Sequence, residues 1–183
     1  MKNFLKIAAM ILMSMGLGSY LTYLTMHRQQ VLVPAPIVAE AHSPEMMAAF
    51  FYAAKIYGKA GCGDMVLAEK TAQWAVKTGL PASMVAGQIA TESTCNPLAV
   101  SNRGAVGLMQ VVPKVWKTKY DFSKVNLFNP DDNMAVGCAI MADLVKRYGA
   151  KNALAHYYGT GNDGIGSSGE EYSKKVQLIS RLE

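Results

Sequence analysis

The sequence has 183 residues, of which 51% are hydrophobic and 17% are charged. This composition excludes a disordered polymer and a highly charged coiled coil, and the length suits one domain with a tail or an anchor. The formal charge of +5 raises the question of a nucleic-acid partner. However, Lys2, Lys6 and Arg28 supply three of the five surplus charges beside an apolar segment. We therefore expect no nucleic-acid partner.

An uncharged segment lies near the N-terminus. Ile7 to Met26 contains 20 residues without a charge, which is enough to cross a hydrocarbon core of roughly 30 Å. Lysines precede it, so we predict a membrane anchor over residues 1–28 with the rest of the chain outside the cytoplasm. A cleaved signal peptide is the alternative, because Gly16 and Gly18 are small enough for a cleavage site. Either interpretation places the rest of the chain in the periplasm or exports it.

Residues 29–61 are predicted to form a linker and a lead helix. Pro34 and Pro36 oppose helix formation in the first part of this stretch. Ser43 and Pro44 then have the residue types that favour the N-cap and first turn of a helix.

The remainder, residues 62–183, is predicted to be one mainly α domain. Helical periodicity recurs between short breaks, and alternation typical of strands is hard to find. Asp64 is a candidate N-cap, and Gly79 is placed like a glycine that ends a helix. The predicted helices run from Asp64 to about Lys77, Pro81 to about Ser93, Asp132 to Tyr148, Lys151 to Tyr158, and onward from Glu170.

One carboxylate stands out near the end of a predicted helix. Val85, Ile89 and Glu92 are spaced by four and three residues, so they share one helix face. If that face is buried, desolvation raises the pKa of the Glu92 carboxyl and keeps it protonated near neutral pH. A general acid for glycosidic bond cleavage needs this property.

The residues that follow Glu92 carry a long motif. They are E-S-T-C-N-P-L-A-V-S, then G-A-V-G-L-M-Q, then Pro113. This resembles the lytic transglycosylase family, which is related to goose-type lysozyme and has the pattern E-S-x-x-N-P-x-A-x-S, G-A-x-G-L-M-Q and a later proline. The resemblance covers about Val66 to Arg181 and implies a lysozyme-like helical fold.

The resemblance also implies roles for individual residues. Glu92 matches the catalytic acid. Tyr157 matches the tyrosine that orients this carboxylate, and Tyr158 departs from the family because an asparagine is usual there. The candidate substrate-binding residues are Ser101, Met109, Gln110, Tyr157 and Tyr158.

The implied activity is cleavage of peptidoglycan glycan strands between N-acetylmuramic acid and N-acetylglucosamine, with a 1,6-anhydromuramic product. It uses one carboxylate and no water, metal or cofactor. The stretch from Ser93 to Tyr120 contains no Asp or Glu, which agrees with one carboxylate. Asp121, Asp131 and Asp132 remain possible second acids, although the last two suit a helix start better. The alternatives are a goose-type muramidase, which is a hydrolase, and an inactive peptidoglycan-binding component.

The setting and the cysteine chemistry stay open at this stage. Conjugation or secretion machinery, a phage virion or entry apparatus, and wall turnover all suit a small anchored enzyme.

An oxidising compartment permits one disulfide among the three cysteines. We expect Cys95 to pair with Cys62 or Cys138, and three unpaired thiols are the alternative.

Overall fold

The computed structural model describes residues 43–159 and 167–181. The helices in these ranges are α1 (Pro44–Ala60), α2 (Met65–Thr78), α3 (Ala82–Ser93), the short α4 (Pro113–Trp116), α5 (Pro130–Tyr158) and α6 (Ser167–Ser180). The predicted mainly α class is confirmed for this part of the chain. None of the helices within it is long and apolar enough to cross a membrane. The predicted anchor, Ile7 to Met26, lies outside the described residues.

The first two helices begin at the residues that the sequence predicts. The Ser43 side chain accepts a hydrogen bond from the Met46 N–H at 3.1 Å, with Pro44 in the first turn. The Asp64 carboxylate accepts from the Leu67 N–H at 2.7 Å. These bonds satisfy N–H groups that have no partner within the helix. Both caps are therefore confirmed.

Helix α1 belongs to the hydrophobic core. Ala53, Ile56 and Tyr57 are buried, and α1 packs against α2, α3 and α6. Burying one side chain of this kind stabilises the fold by roughly 1.5–3 kcal/mol. Helix α1 therefore contributes to the same hydrophobic core as the helices that follow it.

The range α5 contains two helical segments that meet at a kink at Gly149, as the sequence predicts. It starts at Pro130, two residues earlier than predicted, because the Asn129 side chain accepts from the Asp131 and Asp132 N–H groups at 2.9 and 3.3 Å. Gly149 interrupts it with φ 74° and ψ 157°, close to the predicted break. Asp131 and Asp132 lie at the helix start, as expected.

The close approach of α3 and α6 positions the candidate site. A Cβ atom on Gly87 of α3 would lie 2.1 Å from the Ser180 Oγ and 3.2 Å from the Val176 carbonyl oxygen of α6. A larger residue at position 87 would require the Ser180 side chain to move and would crowd the Val176 carbonyl. The contact joins the C-terminal part of α6 to the middle of α3, the helix that carries Glu92 in its last turn.

A disulfide joins Cys62 to Cys95, with Cα atoms 5.7 Å apart, while Cys138 is free and buried. This is one of the two pairings that the sequence allows. The bridge links the turn after α1 to the turn after α3. It thereby holds the segment that immediately follows Glu92.

Reduction of this disulfide is expected to destabilise the fold by about 3 kcal/mol. The two cysteines are 33 residues apart, and the bridge between them lowers the conformational entropy of the unfolded chain. Without the bridge the unfolded state gains entropy and is favoured. Thermal unfolding with and without reductant measures the effect. A Cys62→Ala variant is the control, since its midpoint should not respond to reductant. Alkylation in denaturant without reductant should modify Cys138 alone. Three alkylated cysteines would contradict the pairing.

Candidate active site

Glu92 lies in the last turn of α3 and is half-buried. Burial raises the pKa of its carboxyl from 4.5 to about 7, and this effect exceeds the opposing effects of the Tyr172 hydrogen bond and the Lys175 charge. Val85 and Ile89 are fully buried on the same helix. The expected apolar stripe that ends in a carboxylate is therefore present. Near neutral pH both the protonated and the ionised form of Glu92 are populated, which suits a group that must give and take a proton.

Tyr172 of α6 holds the Glu92 carboxyl. Its hydroxyl donates a hydrogen bond to Glu92 Oε1 at 2.6 Å. The Tyr172 side chain is buried, and burial together with the charge of Glu92 raises the pKa of Tyr172 well above its usual value. The phenol therefore stays neutral and remains a donor.

Tyr157 does not make the contact that the resemblance implied. Its hydroxyl donates to the Met109 carbonyl oxygen at 2.8 Å instead. Burial and the Glu92 charge raise the pKa of Tyr157. Tyr157 and Glu92 line the same cavity. The hydrogen bond to the carboxyl comes from Tyr172, to which the sequence analysis assigned no role.

The chain turns sharply after Glu92. Thr94 and Cys95 have φ values of 50° and 59°, in the left-handed region that most residues avoid. Such residues persist only where the surrounding structure fixes them. The disulfide at Cys95 supplies one such constraint, so the turn that ends α3 is held covalently.

Asn133 of α5 organises the loop that carries the G-A-V-G-L-M-Q motif. Its buried amide donates to the Val106 and Leu127 carbonyl oxygens at 2.8 and 2.9 Å and accepts from the Met109 N–H at 2.8 Å. Within the described residues, Val106 also pairs with Val100 and Val111 in isolated antiparallel bridges, which the helical pattern did not predict. The loop is thus fixed by one side chain and a few backbone bonds.

Met109 was expected to contact substrate, and the structure corrects this expectation. Its side chain is fully buried. It packs so tightly on α5 that a Cβ atom on Gly137 would lie 2.5 Å from the Met109 sulfur, and the Cys138 thiol is 3.8 Å away. Met109 anchors the loop to the core and does not line the groove.

Ser101 and Gln110 lie beside Glu92 but also support the loop. The Ser101 hydroxyl oxygen accepts from the Arg103 and Ala105 N–H groups at 3.3 and 3.1 Å. The Gln110 amide donates to the Ala99 and Gly107 carbonyl oxygens at 3.1 and 3.0 Å. Both side chains are half-buried, so they shape the groove wall and keep part of their surface open to a ligand.

Glu92 and Tyr158 are shared by two cavities that together form a groove. One cavity, of about 350 Å³, also includes Ser101, Gln110 and Tyr157. The other, of about 320 Å³, extends toward α6. Tyr158 is half-exposed and stacks on Tyr172 with ring centroids 4.9 Å apart. A larger cavity of about 570 Å³ lies between residues 113 and 122 and does not include Glu92.

The second cavity contains a carboxylate that the sequence analysis did not consider. Glu171 lines it together with Glu92, Ser168 and Lys175. Glu171 is exposed and follows the motif by about 60 residues, so only the packing of α6 on α3 reveals it. The three aspartates considered before serve elsewhere: they cap or brace turns through Ser123, Lys70 and Asn126.

Comparison with known proteins identifies the family. The profile of the transglycosylase SLT domain matches residues 69–177. The chain is 36% identical over 95 residues to the transglycosylase of Enterobacteria phage PRD1, an alignment that covers 51% of this chain and 35% of the phage protein. It is 36% identical over 106 residues to the membrane-bound lytic murein transglycosylase C of Yersinia pestis (strain Pestoides F), which covers 51% of this chain and 30% of that protein.

The fold also has a solved counterpart. An inactive mutant of the lytic transglycosylase Slt from Pseudomonas aeruginosa superposes with a TM-score of 0.52 at 20% identity, over 61% of this chain and 22% of that one. The chain thus spans only about a third of the length of the curated relatives that it matches. Because the profile covers more than half of the sequence and includes Glu92 with its motif, the chain belongs to the transglycosylase SLT domain family.

Proposed function

We propose that this protein is a peptidoglycan lytic transglycosylase with Glu92 as its catalytic acid and base. The observation that carries the proposal is the half-buried Glu92 carboxyl at the centre of an open groove, with its pKa raised to about 7. The family membership and the named transglycosylase relatives support the same activity.

In the proposed reaction, Glu92 first gives its proton to the glycosidic oxygen between N-acetylmuramic acid and N-acetylglucosamine. The bond from this oxygen to the muramic C1 breaks. The C6 hydroxyl of the same muramic residue attacks C1, and Glu92 takes the proton that this hydroxyl loses. The carboxyl returns to its starting form and no water is consumed. A pKa near neutrality suits both steps, because neither proton transfer is strongly uphill.

Tyr172 favours this use of the carboxyl. Its hydroxyl donates to Glu92 Oε1, so the acidic proton belongs on Oε2. The proton is then available to a sugar in the groove and is not buried between the two side chains. The same bond stabilises the carboxylate after the first proton transfer.

Glu92 lines both cavities of the groove. Ser101 and Gln110 line one side, Ser168 and Lys175 line the other, and the Tyr158 ring lies between them. We infer that the candidate substrate-binding residues Ser101, Gln110, Tyr157 and Tyr158 contribute to this groove. Met109 supports it from the core.

A goose-type muramidase is the second candidate, because Glu171 offers another carboxylate in the same cavity as Glu92. A hydrolase would use such a group to activate water. The two activities differ by one water in the mass of the muramic product. For the transglycosylase we expect anhydro products from both the wild type and Glu171→Gln. Reducing-end products that disappear in Glu171→Gln would support the hydrolase. An inactive wall-binding component would bind sacculi and release nothing.

We also propose that the protein acts at the cell envelope or in a virion. The relatives include a membrane-bound enzyme and a phage protein, and the apolar segment Ile7 to Met26 suits an anchor. The catalytic domain would then lie in the periplasm and open the wall locally for a secretion, conjugation or phage apparatus. The Cys62 to Cys95 disulfide agrees with an oxidising compartment.

A further inference from the structure

Tyr158 stands where the resemblance predicts an asparagine, and the structure gives its ring a specific neighbour. It is the last residue of α5 and is 46% exposed. Its ring stacks on the Tyr172 ring of α6, with centroids 4.9 Å apart and an angle of 25° between the planes. Aromatic pairs with this separation gain stability beyond the burial of their area. The Tyr158 ring therefore has a preferred position against α6.

The ring that Tyr158 covers belongs to the residue that holds the Glu92 carboxyl. The Tyr172 hydroxyl donates to Glu92 Oε1 at 2.6 Å, and Tyr172 is only 7% exposed. Tyr158 and Glu92 line the same two cavities of the groove. Tyr158 therefore faces the groove and packs on Tyr172 at the same time, so that it separates one face of the Tyr172 ring from solvent.

A stacked ring in this position affects the carboxyl in two ways. It limits the movement of the Tyr172 ring, whose hydroxyl is directed at Glu92, and it keeps water from one side of the pair. Exclusion of water raises the pKa of a carboxyl, whereas a hydrogen bond donated to the carboxylate lowers it. For Glu92 the effect of burial exceeds that of the Tyr172 hydrogen bond. Removal of the Tyr158 ring should therefore lower the pKa of Glu92.

We propose that Tyr158 is a positioning residue whose ring holds Tyr172 in place and limits the access of water to the hydrogen bond between Tyr172 and Glu92. The role belongs to the ring and not to the Tyr158 hydroxyl. It is separate from any contact that Tyr158 makes with a sugar. The inference rests on the proposed function only for its effect on turnover.

The other titratable groups that line the two cavities remain unchanged in the test variants. Among the described residues, α1 and α2 contribute nothing to the lining of either cavity. The groups that do line them are Arg103 from the motif loop, Tyr157 from α5, and Glu171, Tyr172 and Lys175 from α6. A change in the Glu92 titration on substitution of Tyr158 therefore reports the loss of the Tyr158 side chain.

The test compares Tyr158→Ala, which removes the ring, with Tyr158→Phe, which keeps it. Titration of Glu92 is followed by carboxyl carbon NMR, with its signal identified by its absence in Glu92→Gln. In Tyr158→Ala we expect the pKa of Glu92 to fall by about one unit or more, because water reaches the carboxylate. In Tyr158→Phe the stacked ring remains, so the pKa of Glu92 should keep its wild-type value.

Activity on sacculi separates positioning from sugar contact. The pH dependence of kcat/KM reports the pKa of an essential acid in the free enzyme. In Tyr158→Ala the alkaline limb of this profile should move to lower pH by about one unit, so its loss relative to Tyr158→Phe should grow by about tenfold from acidic to alkaline pH. A sugar contact alone would lower kcat/KM by the same factor at every pH.

Tyr148 supplies a matched control within the range of α5. It is 44% exposed and stacks on His156, with ring centroids 3.8 Å apart and an angle of 19° between the planes. Neither of these two residues lines the cavities beside Glu92. Tyr148→Ala therefore removes a comparable stacked ring and should lower the unfolding midpoint without changing the Glu92 titration.

An unchanged or raised Glu92 pKa in Tyr158→Ala would overturn the proposal. An equal fall in Tyr158→Phe would assign the effect to the hydroxyl, and an equal fall in Tyr148→Ala would assign it to a general loss of packing, so either result also overturns it. Unfolding of Tyr158→Ala would do the same, because a ring that is nearly half exposed and covers Tyr172 is not needed for folding. The titration uses no substrate. If the products prove hydrolytic or absent while the titration shifts as expected, the proposed function fails and the role of Tyr158 stands.

Discussion

Glu92→Gln is expected to lower the rate of product release from sacculi by about 10³-fold or more, because the amide can neither donate a proton to the leaving oxygen nor take one from the C6 hydroxyl. The Gln side chain can still accept the hydrogen bond that Tyr172 donates to Glu92 Oε1. The groove should therefore keep its shape, and binding to sacculi should persist. Wild-type turnover in this variant would contradict the assignment of the acid.

The same variant is expected to be more stable than the wild type at alkaline pH. The Glu92 pKa is raised from 4.5 to about 7, so between these values the folded state holds a proton that the unfolded state has lost. Stability from this group is therefore lost as the pH rises through that interval. Glu92→Gln removes the cost of ionising this buried carboxyl in the folded state, which is about 1–3 kcal/mol above pH 7. The difference between the unfolding midpoints of variant and wild type should vanish near pH 4, and a constant difference across pH would contradict the raised pKa.

Gly107→Ala is expected to destabilise the fold by more than about 3 kcal/mol. Gly107 has φ 76°, and a Cβ atom there would lie 2.1 Å from the Asn133 Nδ2 and 2.3 Å from the Leu127 carbonyl oxygen. These two atoms form one of the hydrogen bonds that hold the motif loop, at 2.9 Å. The substitution therefore forces the loop away from α5, and activity should fall with stability.

Gly104→Ala is the matched control for this prediction. Gly104 lies in the same loop with φ 78°, but a Cβ atom there meets nothing within 4 Å. This variant carries the backbone strain without the overlap and should cost only about 1 kcal/mol. Chemical denaturation of both variants measures the difference. Equal losses at Gly104 and Gly107 would show that the packing of the loop on Asn133 does not matter.

Local signals in the sequence predicted the helices well. Ser43 and Asp64 bond to N–H groups three residues ahead, and Gly79 ends α2 in the left-handed conformation. These features depend on neighbours in the sequence. The structure has α6 begin at Ser167, three residues before the predicted start at Glu170.

The parts of the site that the sequence missed depend on contacts between distant segments. Tyr172 and Glu92 are 80 residues apart, and their contact depends on the packing of α6 on α3. Met109 belongs to a motif, but a motif position does not reveal whether the side chain faces the groove or the core. The three contacts of Asn133 with the motif loop likewise depend on the folded chain.

Digestion of purified sacculi in ¹⁸O-labelled water tests the central claim most directly. In the proposed reaction the muramic C1 is attacked by its own C6 hydroxyl, so no solvent oxygen enters the product. Mass spectrometry should find anhydromuramic ends without ¹⁸O from the wild type, and no released products from Glu92→Gln. Muramic ends that carry one ¹⁸O atom would show that water attacks C1, and would contradict the account of this protein as a lytic transglycosylase.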